Sequence, residues 1–212
     1  GGNRLYHFNG KVLSVVNGKP EKVTTLANDG GPKMEFTVNN DVLFSGLTAV
    51  SQGNFSFKFM VPRDIDYNYG PGRINYYAYD TSSDMEGVYD KLTIGGFSNI
   101  HASDTSGPEI GLYMNDTLFR EGGLTDSSPE LLAIISDPGG ISTTGLGIGH
   151  DLVCWIDGDR TNYTILNNYF THDQGTYNRG SISYLLQELD EGYHTITLKV
   201  WDNFNNSSEK SL

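Results

Sequence analysis

An all-β protein made of two tandem β-sandwich (immunoglobulin-like) domains is the fold class this sequence predicts. Three observations predict it. The 212 residues include 26 glycines and only 14 Lys+Arg, and no long run sets apolar residues at the 3.6-residue period of a helix. Short stretches with a period of two recur instead, separated by turn residues. Finally, the two halves of the chain end on a similar strand.

The first domain is expected over residues 3–98. "RLYHFNGKVLSVV" opens it, and "KMEFTVNN" and "DVLFSGLTAVS" follow as strands. In "GNFSFKFMVP", Phe55, Phe57 and Phe59 fall on one face and Ser56 and Lys58 on the other, the pattern of a half-buried strand. "RINYYAYD" and "YDKLTIGG" complete the half. The turns between are "VNGK", "NDGGP", "SQGN" and "YGPGR", each with a Gly, Asn or Pro suited to a special φ.

The boundary is expected in "GGFSNIHASDTSGP", residues 95–108, rich in Gly, Ser, Asn and Asp. The second domain then covers 107–212. Its strands are "EIGLYMN", "PELLAIISD", "HDLVCWIDG", "TNYTILNN", "GSISYLLQEL" and "YHTITLKVWD"; within the fifth, "SYLLQEL" fits a strand or a short helical turn. The closing "SEKSL" reads as a polar stretch after the last strand. Aligning Asp80 with Asp202 brings Ile74 onto Ile196, Tyr76 onto Leu198, Ala78 onto Val200 and Tyr79 onto Trp201. This repeat suggests two domains of one general type. The chain reads as a piece excised from a longer protein, with Gly1 a cloning remnant.

The formal net charge of −12 argues against nucleic-acid binding, because an acidic surface repels phosphate backbones. It also argues against docking on anionic lipid. No run of about 18 apolar residues occurs, so no transmembrane helix and no membrane insertion are expected. A single cysteine leaves no internal disulfide and does not settle the compartment.

"GIGHDLVCWIDG" (147–158) combines His150, Asp151 and the lone Cys154. A nucleophile and its base must lie within ~3 Å, whereas four residues of extended chain span ~13 Å. Leu152, Cys154 and Ile156 share one strand face and read as core, so no catalytic residue is assigned. His150 and Asp151 are left either to cap the strand or to face the neighbouring domain. The glycines Gly145, Gly147 and Gly149 precede a strand rather than a helix, so they read as a loop and not a dinucleotide cradle. In "DIDYNYGPGR", Asp64, Asp66 and Asn68 alternate as oxygen ligands do in a calcium loop. Tyr69 and Asn75 occupy the positions where an EF-hand needs Gly and Glu. A looser calcium site on Asp64, Asp66 and Asn68 is the one metal candidate, set against an ordinary Asx-capped turn; no other cofactor is expected. With 26 acidic residues, a pair of carboxylates at glycosidase spacing has no specificity. Tyr67, Tyr69, Tyr76, Tyr77 and Tyr79 gather around one loop and strand. Because Tyr77 and Tyr79 face away from Tyr76, at least one set is expected in the core, and exposed aromatics could stack on sugar rings or on a partner protein. "NDT" and "NNSS" form N-glycosylation sequons, and Asp116–Thr117–Leu118 looks like the short O-glycosylation signal of Bacteroidota.

Longer phrases carry a family resemblance. The stretch from "VTTLANDGGPKMEFTVNNDVLFSGLTAV" to "GPGRINYYAYD" resembles the region behind the peptidase domain in the gingipain-like (C25) cysteine peptidases of Bacteroidota, above all the sortase of the type IX secretion system. "GPEIGLYMNDTLFREGG", "GISTTGLGIGHDL" and "HTITLKVWDNFNNSS" look like the next domain of the same protein, so the resemblance runs from about Leu5 to Ser208. It implies a parent at the surface of a Gram-negative bacterium, a peptidase that trims C-terminal sorting signals and attaches cargo to lipopolysaccharide. The catalytic cysteine and histidine would lie in an upstream caspase-like domain, and no catalytic residue carries over to this chain. The implied partners are that peptidase domain, a PorV-like outer-membrane barrel and cargo proteins. The expected role is a non-catalytic spacer and docking module. A glycan-binding or adhesin module is the alternative, and a self-contained enzyme the third reading.

Overall fold

The computed structural model describes residues 5–39, 41–97, 104–144 and 149–212. It is all-β and antiparallel, with one three-residue 3-10 turn at Asn167–Tyr169. In the first half the strands are β1 (Gly10–Asn17), β2 (Glu21–Thr24), β3 (Glu35–Val38), β4 (Val42–Val50), β5 (Gly70–Tyr79) and β6 (Asp84–Ile94). β4, β1, β5 and β6 form a four-stranded sheet in that order, while β2 and β3 form a separate hairpin. β1 is central because its alternation is right for one buried face: Val12, Ser14 and Val16 are all buried.

The aromatic stretch 55–60 lies outside the strands, contrary to its period of two. The alternation is nonetheless used. Phe57 and Phe59 stack on Phe44 of β4, with centroids 5.8 and 5.4 Å away, and Phe55 meets Tyr76 of β5 edge-on at 5.6 Å. Period two reports one covered face, and here the cover is a sheet lying beneath the segment rather than a strand bonded beside it.

The second half holds β7 (Glu109–Met114), β8 (Glu130–Ser136), β9 (Val153–Ile156), β10 (Thr164–Ile165), β11 (Phe170–His172), β12 (Arg179–Leu185), β13 (Ile196–Trp201) and β14 (Ser207–Ser211). They form two four-stranded sheets, β11-β12-β8-β7 and β10-β9-β13-β14. One core lies between them. Leu112, Leu131, Ile135 and Ile182 come from the first sheet, and Cys154, Ile196, Leu198 and Val200 from the second. This half is a β-sandwich in layer and core, whereas the first half has one large sheet and two small core clusters, around Val16–Phe44 and Phe8–Val12.

Every sheet stays within its own half. "SYLLQEL" resolves as strand β12 as far as Leu185. The closing polar stretch, expected to follow the last strand, contains β14 itself, paired with β13 from Trp201↔Ser207 to Thr197↔Ser211. The expected boundary falls partly on residues 98–103, and Gly145 and Gly147 of the glycine loop fall within 145–148; both stretches lie outside the described residues.

The shared ending has a structural counterpart. β5 and β13 are each inner strands that turn into the next strand of their sheet. Asp80 Oδ1 accepts hydrogen bonds from the Ser82 and Ser83 amides, both at 2.8 Å. Asp202 Oδ1 accepts them from the Phe204 and Asn206 amides, at 2.9 and 2.7 Å. The repeated aspartate closes the turn that follows the strand.

Candidate functional site: the seam between the two halves

The segment that suggested chemistry divides between core and seam. Leu152 and Cys154 are buried in the second core, and Ile156 packs against it. Burial pushes the Cys154 thiol up to about 11, against a smaller lowering by the Thr164 amide, so the reactive thiolate is scarce at neutral pH. The strand entry is held by Asn167, whose Oδ1 accepts from the Leu152 amide at 2.9 Å and whose Nδ2 donates to the Thr143 carbonyl at 3.1 Å.

His150 instead faces the first half. Its Nδ1 pairs with Asp64 Oδ2, and its ring lies 4.1 Å from that of Trp201. Asn205 Nδ2 donates to the other oxygen of Asp64 at 2.7 Å. Beside it the Arg63 amide donates to the Asn203 carbonyl at 3.0 Å. The Arg63 guanidinium donates to the Phe204 carbonyl at 3.2 Å and lies over the Phe204 ring at 4.7 Å. The "DID" loop of the first half thus grips the "DNFNN" turn of the second.

A further set of contacts joins β4 to the β11–β12 hairpin. The Gly175 amide donates to the Leu47 carbonyl at 2.8 Å, and His172 Nδ1 lies 3.0 Å from the Ser45 carbonyl. The His172 ring sits 5.2 Å from that of Phe44, and Tyr177 packs against the Val16–Phe44 cluster. Burial lowers the His172 pKa, opposed by its bond to Ser45. The neutral imidazole then donates from Nδ1 to that carbonyl.

The calcium candidates have protein partners. Asp64 is committed to His150 and Asn205. Asp66 pairs with Lys19 at 2.7 Å, and the Lys19 ammonium also donates to the Asp66 and Asn68 carbonyls, both at 2.6 Å. Lys19 and the Asn68 amide lower the pKa of Asp66. A lysine cation therefore sits where the loop's oxygens converge.

A different trio has metal-ligand spacing: Asp104, Asp137 and Asp202 bring carboxylate oxygens within 4.8 Å of one another. Asp137 and Asp202 are buried. Both help to close turns: Asp137 Oδ1 takes the Gly139 amide at 2.7 Å, and Asp202 Oδ2 takes Asn206 Nδ2 at 2.7 Å. Burial raises Asp137 to about 6, the Gly139 amide opposes this, and the charges of Asp202 and Asp104 add to it. Sequence reasoning did not find this trio, because Asp104 lies in the stretch before β7 while Asp137 and Asp202 follow strands of two different sheets.

The tyrosines sort as their alternation predicts. Tyr76 packs against both small clusters of the first half. Tyr77 and Tyr79 lie on the other face with ring centroids 5.7 Å apart, and Tyr77 donates to Asp84 Oδ2 at 3.1 Å. Tyr67 and Tyr69 are exposed.

No family model matches this chain, and no curated protein matches it. Among solved structures, the crystal structure of dimeric latent PorU from Porphyromonas gingivalis is similar to it. Sequence identity is 33%, the TM-score is 0.52, and the match covers 98% of this chain. It covers 20% of the PorU chain, so the present chain spans about one fifth of that relative. The resemblance read in the sequence is borne out at this level: over nearly its whole length, the chain is a PorU-like all-β segment.

Proposed function

We propose that this chain is the non-catalytic β-part of a cell-surface C25-type peptidase of the type IX secretion system, made of two tandem immunoglobulin-like domains over 3–98 and 107–212. In this reading it acts as spacer and docking module. It sets the distance between an upstream peptidase domain and a PorV-like outer-membrane barrel, and it offers surface to cargo. The observation that carries the reading is the likeness to PorU over 98% of this chain but only 20% of that one. The seam supports it, since two units bonded at both the Asp64 loop and the Leu47–Gly175 contact make a stiff spacer. A stiff tether raises the effective concentration of what it holds. The buried, weakly acidic Cys154 supports a chain that does no thiol chemistry of its own.

The test is a pull-down with the purified chain from outer-membrane extract of a bacterium that carries the system. Retention of the barrel or of the peptidase domain is expected. Recovery of neither would remove the docking role.

Tyr77 and Tyr79 favour glycan binding as a second reading, because they form an aromatic pair beside Asp80 and Asp84 on an open face. A glycan array with the same chain separates the two readings, and a blank array leaves only the spacer.

A further inference from the structure

At one end of the second half, residues of both sheets and their loops line a groove of about 620 Å³ with mixed polar and apolar walls. Its floor is made of core side chains reached from outside, among them Met114, Leu186 and Ile196, each less than 9% exposed. Its walls are the loops around 119–129 and 186–194. At the lips stand Leu124 and Tyr193, which are 98% and 99% exposed. An apolar floor flanked by fully exposed large apolar side chains is the usual form of a surface that another molecule covers.

The charge around this groove selects the occupant. Asp126, Asp190 and Glu191 line it, and none of the described lining residues is Lys or Arg. The one basic group, His194, is already partnered. Its Nδ1 lies 2.8 Å from Asp157 Oδ2 and its Nε2 lies 2.9 Å from the Asp190 carbonyl, so both ring nitrogens face acceptors. The lining therefore sets three carboxylates, Asp126, Asp190 and Glu191, against one histidine, a net negative rim around an apolar floor.

We propose that this groove docks a polypeptide segment that alternates aliphatic and basic residues. Its aliphatic side chains would enter the floor between Met114 and Ile196, and its Lys or Arg heads would reach Asp126, Asp190 and Glu191. A segment rich in acidic residues is repelled by the same rim. The proposal deepens the docking reading and rests on it only in requiring a polypeptide partner. The experiment uses synthetic peptides, so its outcome does not depend on whether membrane extract yields a barrel.

Fluorescence anisotropy with a labelled (Val-Lys)4 peptide provides the test, with (Val-Glu)4 and (Ser-Lys)4 as controls. Saturable binding of (Val-Lys)4 is expected, at least tenfold tighter than either control. The exposed changes Glu191→Lys and Tyr193→Ala, made singly in the full chain, are each expected to weaken it at least threefold. Far-UV circular dichroism is expected to stay unchanged. Amide shifts in a heteronuclear NMR titration should cluster on the two wall loops. Equal binding of (Ser-Lys)4, no saturable binding of (Val-Lys)4 up to millimolar concentration, or shifts centred on Asp104 and Asp202 instead would each overturn the proposal.

Discussion

Asp137 ends β8 with its carboxyl buried beside those of Asp202 and Asp104. Its folded-state value of about 6 lies above the ordinary 3.8. A carboxyl raised on folding binds its proton more tightly in the native state. Its stabilising contribution is therefore complete below about 3.8 and is lost as pH rises through about 6. The whole effect is worth at most about 3 kcal/mol. His194, raised by Asp157, acts in the same direction, whereas the lowered value of His172 acts in the opposite one. A difference measurement isolates Asp137. Urea unfolding of Asp137→Asn, which keeps an acceptor for the Gly139 amide, should show a gain of about 1–3 kcal/mol over wild type at pH 7.5. At pH 4.5, between the unfolded and folded values, the gain should shrink to about a third of that at pH 7.5. At this scale the sequence was half legible. Cys154 could be placed because its neighbours at i±2 are apolar, a local signal. Asp137 and Asp202 could not, because they follow strands of two different sheets, and only the packing of those sheets brings them together.

Strands with one covered face were legible as elements, and those defined by their partner alone were not. β1, β4, β8 and β13 carry alternating or continuous apolar residues because sheet or core lies against them. β14 reads "SSEKS" and carries no apolar signal. It is a strand because β13 offers it a free ladder. The mutual amide–carbonyl bonds of Ile196 and Leu212, both 3.0 Å, fix the bonded register. The alternation of bonded pairs then makes Leu198↔Lys210 another such pair. Lys210→Pro removes that donor and should cost about 3 kcal/mol. Lys210→Thr keeps the donor on an exposed site and should change stability by less than about 0.5 kcal/mol. Thermal denaturation of the two variants checks the contrast, and equal losses would show that β14 holds by its side chains. The segment 55–60 makes the complementary case. Its three phenylalanines signalled a covered face correctly, but period two does not distinguish a strand within a sheet from a chain laid across one. Phe59→Ala should therefore loosen β4 through lost contact with Phe44, by about 1–3 kcal/mol for a half-buried ring.

For the whole molecule, the unequal cores of the two halves make the seam matter. The second half has one core running through both its sheets, whereas the first divides its buried residues between two small clusters. The first half on its own should be the less stable, since stability follows the apolar area removed from water. The seam couples it to the sturdier half through Arg63 and Asp64 on one side and His150, Asn203, Phe204 and Asn205 on the other. A double-mutant cycle on Asp64→Ala and His150→Ala should give a coupling of about 1 kcal/mol, as for a partly exposed hydrogen-bonded side-chain pair. The consequence for unfolding is larger than that figure, because the seam decides whether the halves melt together. Both tryptophans, Trp155 in β9 and Trp201 in β13, belong to the second half, so tryptophan fluorescence follows that half while circular dichroism follows both. In the wild type the two melting curves should coincide, as in a cooperative transition. In the double variant Arg63→Ala/Asp64→Ala, the dichroism should begin to fall several degrees before the fluorescence, as the first half unfolds alone. Curves that move down in temperature but stay superimposed would mean that the Leu47–Gly175 and Phe44–His172 contacts suffice to couple the halves.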